Sequence, residues 1–258
     1  MLLADLLSEL RVNILGDRSD RTSGTPDLLW DDPTLVRYID EACRRYARLG
    51  LVIRDGTSTE ATQVTLATGV SDYALHASVL AVVSARHEDS LTDLTRAGHS
   101  ALDVYRPPNT VLFDPATISV LPPGAPLAYS TDEYLSADAT DSSGVATLHV
   151  YPAPSAAYNG TKINLRVIRL PLASLTMAGL DTATQQTPEI PEIYHIEMLD
   201  WAAYLALRIV DGDAGWVGRA HEFKTMFERH VEAARKDTLR KLFAPHFWGF
   251  GRNGFSWE

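Results

Sequence analysis

The apolar residues of this chain change their spacing twice, and that change restricts the fold more than any single motif. Before residue 50 they recur every three or four positions. From about residue 51 to 175 they alternate or cluster in short runs: QVTLA, YALH, VLAVVSARH, TVLF, TISVL, PLAYS, VATLHVYP and KINLRVIRLP. Past Pro188 and Pro191 the wider spacing returns. A period near 3.6 lines one face of a helix, and a period of 2 lines one face of a strand. The chain is therefore expected to be α+β. Helices from both ends form an antiparallel bundle, built from residues 1–50 and 176–242. An antiparallel β-sandwich or barrel-like domain, residues 51–175, is inserted between the second and third helices. Residues 243–258 form an extended C-terminal arm.

Local signals refine this outline. Leu2, Leu3, Leu6, Leu7 and Leu10 mark a short first helix, and the stretch at 16–31, rich in Gly, Ser, Thr, Asp and Pro, reads as a long loop. Asp32 is placed to cap a second helix and Pro33 to open it, where no amide donor is needed. Leu35, Val36, Ile39, Ala42, Cys43 and Tyr46 form its apolar stripe, and Gly50 its terminus. Turn residues punctuate the centre, and Asn159-Gly160 between two strand-like runs predicts a hairpin. The run from Tyr194 to Val210 is apolar on several faces, which predicts deep burial. Asp211-Gly212-Asp213 interrupts it before a last helix, from about Gly215 to Lys241, with Val217, Ala220, Phe223, Phe227, Val231 and Ala234 on one face.

Composition narrows the function classes. A chain of 258 residues with 45% apolar and 22% charged content is an ordinary globular protein with room for a real core. No run approaches the roughly 20 consecutive apolar residues of a membrane span, and MLLADLLSELRV lacks the basic start of a signal peptide. The single cysteine, Cys43, cannot close an internal disulfide and reads as core filler. A net charge of −10 lacks the electrostatic footprint of a protein that grips DNA.

The chemistry-bearing motifs do not assemble into a reaction. Gly249-Phe250-Gly251-Arg252-Asn253-Gly254 satisfies G-x-G-x-x-G, but a helix precedes it and no helix follows to meet a phosphate. Six of the last sixteen residues are aromatic, so glycines between large rings point to an arm whose side chains dock on a partner. The expected contact residues are Phe247, Trp248, Phe250, Arg252, Phe255 and Trp257. Basic Arg235, Lys236, Arg240 and Lys241 sit near the end of the last helix, placed to face a partner or DNA. His221-Glu222 begins a zinc-protease pattern, but Thr225 stands where the second histidine belongs. His76, His87, His99 and His149 lie in or near the strands and read as core or surface residues. No G-x-S-x-G elbow or calcium-loop spacing occurs. No catalytic residue, metal ligand or cofactor is expected.

Three segments in order carry a family resemblance: LWDDPTLVRYIDEACRRYARLGLVIRD, the centre beginning TQVTLATGVSDYALHASVLAV, and PEIPEIYHIEMLDWAAYLALRIVDGDAGWVGRAHEFKTMFERHVEAARKD. Together they resemble the head-to-tail adaptor, or connector, proteins of tailed bacteriophages, over most of residues 27–240. The most distinctive piece is the Pro-x-x-Pro segment leading to Tyr194, His195 and Asp200-Trp201. The resemblance implies a non-enzymatic virion protein of the neck, made in the host cytoplasm and docked under the portal protein as a ring, on the order of twelve copies. It implies further partners among tail, nozzle or fibre proteins, and genomic DNA passing through the channel without sequence-specific binding. No membrane is involved. Residues 243–258 then become the arm that enters the portal. The central β region is larger than in the small all-helical adaptors. That leaves two rivals: a tail- or fibre-attachment module with the β region as its binding end, and a hydrolase built from scattered Asp, Glu and His residues.

Overall fold

A computed structural model of the chain describes residues 1–17, 29–90, 92–96, 122–132, 147–181, 183–209 and 214–247. The elements run α1 (Leu3–Ser8), α2 (Asp32–Gly50), β1 (Arg54–Asp55), α3 (Thr59–Thr62), β2 (Gln63–Thr65), β3 (Asp72–Ala74), β4 (Val79–His87), β5 (Thr95–Arg96), β6 (Ala128–Asp132), β7 (Thr147–Tyr151), β8 (Lys162–Arg169), α4 (His195–Ile209) and α5 (Ala214–Phe247). The fold is mixed α+β. It divides into a helical unit, residues 1–53 with 170–258, and a β unit, Arg54–Arg169.

In the helical unit, the leucine spacing of the N-terminus produces α1, which passes into a wide π-type turn over Glu9–Leu15 and stops at Gly16 with φ 71°. Leu3, Leu6 and Leu10 are fully buried against the same core as α2, α4 and α5. Every residue of the stripe read for α2 is buried, and Tyr38 and Ala47 join it. Asp31, with extended backbone, takes the cap position, and Asp32 is the first helical residue. Asp32 instead accepts a hydrogen bond from Arg11, whose guanidinium also reaches Asp17 at 2.8 Å. Asp17 accepts the backbone amides of Leu29 and Trp30, which fixes the approach to α2.

The end of α2 differs from the expectation that Gly50 closes it. Gly50 is still helical, and the left-handed residue is Leu51 with φ 55°. A Cβ at position 50 would lie 3.1 Å from Val52 Cγ1 and 3.6 Å from Ala234 of α5. The tight contact is with Val52, while Ala234 would stand at an ordinary van der Waals distance, and the unfavourable dihedral falls on a leucine.

Helix α4 is buried on nearly all sides: Met198, Leu199, Trp201, Ala202, Ala203, Leu205, Ala206 and Leu207 all belong to the core. It packs on α1, α2 and α5, so its own chain covers its several apolar faces. Helix α5 contributes Ala220, Phe227, Val231 and Ala234, with Phe223 half-buried. Val217, assigned to that stripe from spacing, is 64% exposed. The helix continues to Phe247, inside the segment expected to be an extended arm.

Among the described residues the β unit holds two four-stranded sheets. In the first, β8 is central: β4 runs antiparallel along one edge, and β1 and β2 pair with opposite ends of the other. In the second, the order is β3-β7-β6-β5, antiparallel except for a parallel β5–β6 contact. The hairpin expected at Asn159-Gly160 is not formed. Gly160 does make a turn with φ 81°, but β7 before it and β8 after it lie in different sheets. Pro152 and Pro154 follow β7 and have no amide to continue a ladder, so the strand ends there. The Gly160 amide instead donates to Leu66, next to β2. The runs TVLF and TISVL lie outside the described residues.

The β unit begins and ends on neighbouring strands. Asp55 of β1 and Arg169 of β8 form a buried ion pair at 2.6 Å. The Asp55 carboxylate also accepts the amides of Thr57 and Ser58. Burial opposes its ionised form, but hydrogen bonds from Ser58, Thr57 and Arg169 outweigh that and hold the carboxyl well below the usual carboxylate range.

Candidate functional site

Helix α5 carries the four basic residues that sequence reading assigned to a partner or DNA, and Phe247 of the expected docking set. Its inner face is set by Phe227, Val231, Ala234 and Thr238, which are buried. Arg235, Lys236, Arg240 and Lys241 are all exposed. Two of these cations pair within the helix, Lys236 with Glu232 at 2.6 Å and Lys241 with Asp237. Such exposed pairs contribute only about 0.3–0.5 kcal/mol each, so they leave the basic face available to a partner. Phe247 is the last residue of α5. Trp248, Phe250, Arg252, Phe255, Trp257 and the G-x-G-x-x-G pattern lie outside the described residues.

The distinctive Pro-x-x-Pro segment and the residues after it place some side chains inside the helical unit and leave others, such as Ile193 at 71% exposed, on its surface. Ile190 is buried, and its carbonyl accepts the Nε2–H of buried His195 at 2.9 Å. Burial lowers the His195 pKa, so the ring is held neutral. One turn on, the carboxylates of Glu197 and Asp200 point to different helices. Glu197 accepts the Tyr46 hydroxyl of α2 at 2.6 Å, and Asp200 accepts His230 Nδ1–H of α5 at 3.0 Å. Burial, then the Glu197 bond, push the Tyr46 phenol pKa up. Burial raises the Asp200 pKa, against the pull of His230 and with the repulsion of Glu197. Rings close the gaps: Tyr46 stands 5.4 Å from Tyr194 and 5.8 Å from Phe227, centroid to centroid. Glu197 and Asp200 thus link three helices through polar contacts.

Sequence reading singled out Tyr194, His195, Asp200 and Trp201 but not their partners. Tyr46 and His230 carry no local mark, because each partner lies on another helix. The one available signal was the spacing of Glu197 and Asp200, three positions apart on a helix too apolar to leave them in solvent. Cys43 is buried, and that burial, followed by Asp40, pushes its thiol pKa up to about 12. At neutral pH it is an inert core thiol.

The histidines of the β unit go to separate partners. His76 meets Ser78, His87 meets Thr161 at 2.9 Å, and His149 donates to Asp72 at 2.6 Å. His99 lies outside the described residues. Among the described residues no three His, Cys, Asp or Glu side chains converge as a metal site. No helix among the described residues is long and apolar enough to cross a membrane.

No curated protein matches the chain. The family model described as SU10 adaptor protein matches residues 1–246. That span includes both units, the Pro-x-x-Pro segment and nearly all of α5. With its helical ends, its inserted strands and a match running through almost the whole sequence, the chain belongs to the SU10 adaptor protein family.

Proposed function

We propose that this protein is a non-enzymatic head-to-tail adaptor of a tailed bacteriophage. It docks as a ring beneath the portal, extends the DNA channel and joins head to tail in the virion neck. The observation that carries this reading is the family match over residues 1–246. The helices of both chain ends form the antiparallel bundle that mounts the subunit, and the sheets between form its sandwich-like inserted domain. Segment 243–258 serves as the portal-docking arm, with Phe247, Trp248, Phe250, Arg252, Phe255 and Trp257 as its contacts. Arg235, Lys236, Arg240 and Lys241 turn toward the portal or the passing DNA. A ring of about twelve identical subunits closes through heterologous contacts. With −10 per chain, such a ring repels DNA overall and lets it pass with few trapping contacts.

The test is direct. The protein is mixed with its portal and imaged by negative stain, with the full chain and with a variant lacking residues 248–258. Rings on the portal with the full chain only are expected. Failure of the full chain to bind the portal defeats the adaptor reading, and equal binding by both defeats the arm assignment.

A further inference from the structure

Between α2 and α4 of the helical unit lies a cleft of about 490 Å³ that none of the readings above uses. Its walls carry Arg37 and Arg45 from α2 and Arg208 from α4, against a single carboxylate, Glu41. None of the three arginines forms an ion pair among the described residues. The contrast is sharp on a chain with net charge −10. Each guanidinium is instead placed over a ring. Arg45 stands 3.8 Å from the centroid of Trp201, Arg37 5.4 Å from Tyr38 and Arg208 5.9 Å from Tyr204. Arg45 Nε is buried without a hydrogen-bond partner.

The stacking also selects that ligand. A guanidinium lying over a ring keeps its N–H groups at the plane's edge, where a carboxylate is met by two parallel bonds. Nucleic acid would use open aromatic faces as stacking platforms, but here arginines occupy the faces of Trp201, Tyr204 and Tyr38. Trp201 itself is 6% exposed, and its Nε1–H already points to Glu41 at 3.4 Å. Leu205 supplies an apolar wall suited to the methylene stem of a glutamate.

We propose that this cleft docks an acidic segment of a partner protein, with Asp or Glu carboxylates seated on the free edges of Arg45, Arg37 and Arg208. The cleft is lined by residues of α2 and α4 alone, so the proposal does not depend on whether residues 248–258 enter a portal. The probe is tetraglutamate, titrated into the full chain by calorimetry at low salt, with oligothymidylate and inorganic phosphate alongside. Saturable binding of tetraglutamate is expected, about tenfold or more weaker in Arg208→Gln and in Arg45→Met, each losing charge-assisted bonds. Arg45→Met keeps an apolar stem on Trp201. If it unfolds by circular dichroism, the exposed Arg208→Gln carries the test alone. Three results overturn the proposal: no saturable binding, binding indifferent to the folded variants, or oligothymidylate or phosphate bound more tightly than tetraglutamate with the same sensitivity.

Discussion

At Leu51 the backbone adopts the left-handed conformation that a leucine tolerates poorly, at a cost of about 1–2 kcal/mol. The position is only half-buried, so little packing depends on its side chain. Leu51→Gly is therefore expected to raise stability by about 1 kcal/mol, read as a higher urea midpoint; an unchanged or lower midpoint would show that the leucine's packing outweighs its dihedral. Asp55 is the opposite case. Its side chain is 6% exposed and that of Arg169 is 8% exposed, so removing one charge strands the other. Asp55→Asn should cost about 3–5 kcal/mol, visible as lost amide-exchange protection in β8. The pH dependence has a definite sign. The folded pKa of Asp55 is depressed, so its contribution is complete above the unfolded carboxylate pKa of about 3.9 and disappears as pH falls through the lower folded value. Neither role was recognisable beforehand: Leu51 stood at the start of the strand region, and the partner of Asp55 lies 114 positions away.

Among the elements, α5 and α4 show how far periodicity reaches. The spacing identified Phe227, Val231 and Ala234 as inward-facing, and they are. It also chose Val217, which is 64% exposed. Phe227 is 1% exposed and packs on both Tyr46 and Trp201, so Phe227→Ala should destabilise the helical unit by about 3–5 kcal/mol in chemical denaturation. The carboxylate link predicts a second effect. Asp200 has a raised folded pKa, so its contribution is full below the unfolded carboxylate pKa and is lost as pH rises through the folded value. Asp200→Asn removes that titration. Stability profiles of the two proteins should then differ in slope on the alkaline side of roughly pH 4, with the variant flatter; parallel profiles would exclude Asp200 as the source.

For the molecule as a whole, the last apolar member of the core among the described residues is Ala234. Deleting residues 248–258 is accordingly expected to shift stability by no more than about 0.5 kcal/mol in thermal denaturation. A larger loss would assign those rings to the subunit's own packing rather than to a partner. Spacing alone determined that this chain is α+β, with helices at its ends and short strands between, because helix and strand periods are written within windows of a few residues. Tertiary structure alone decided which strands pair, so that Asn159-Gly160 links two sheets instead of turning a hairpin. It also decided which polar groups meet. Tyr46 and Glu197 are 151 positions apart, Asp55 and Arg169 114. The cleft arginines, likewise, become a cluster only when α2 and α4 pack. Such contacts depend on how the apolar faces close over one another, and no local stretch of sequence carries that information.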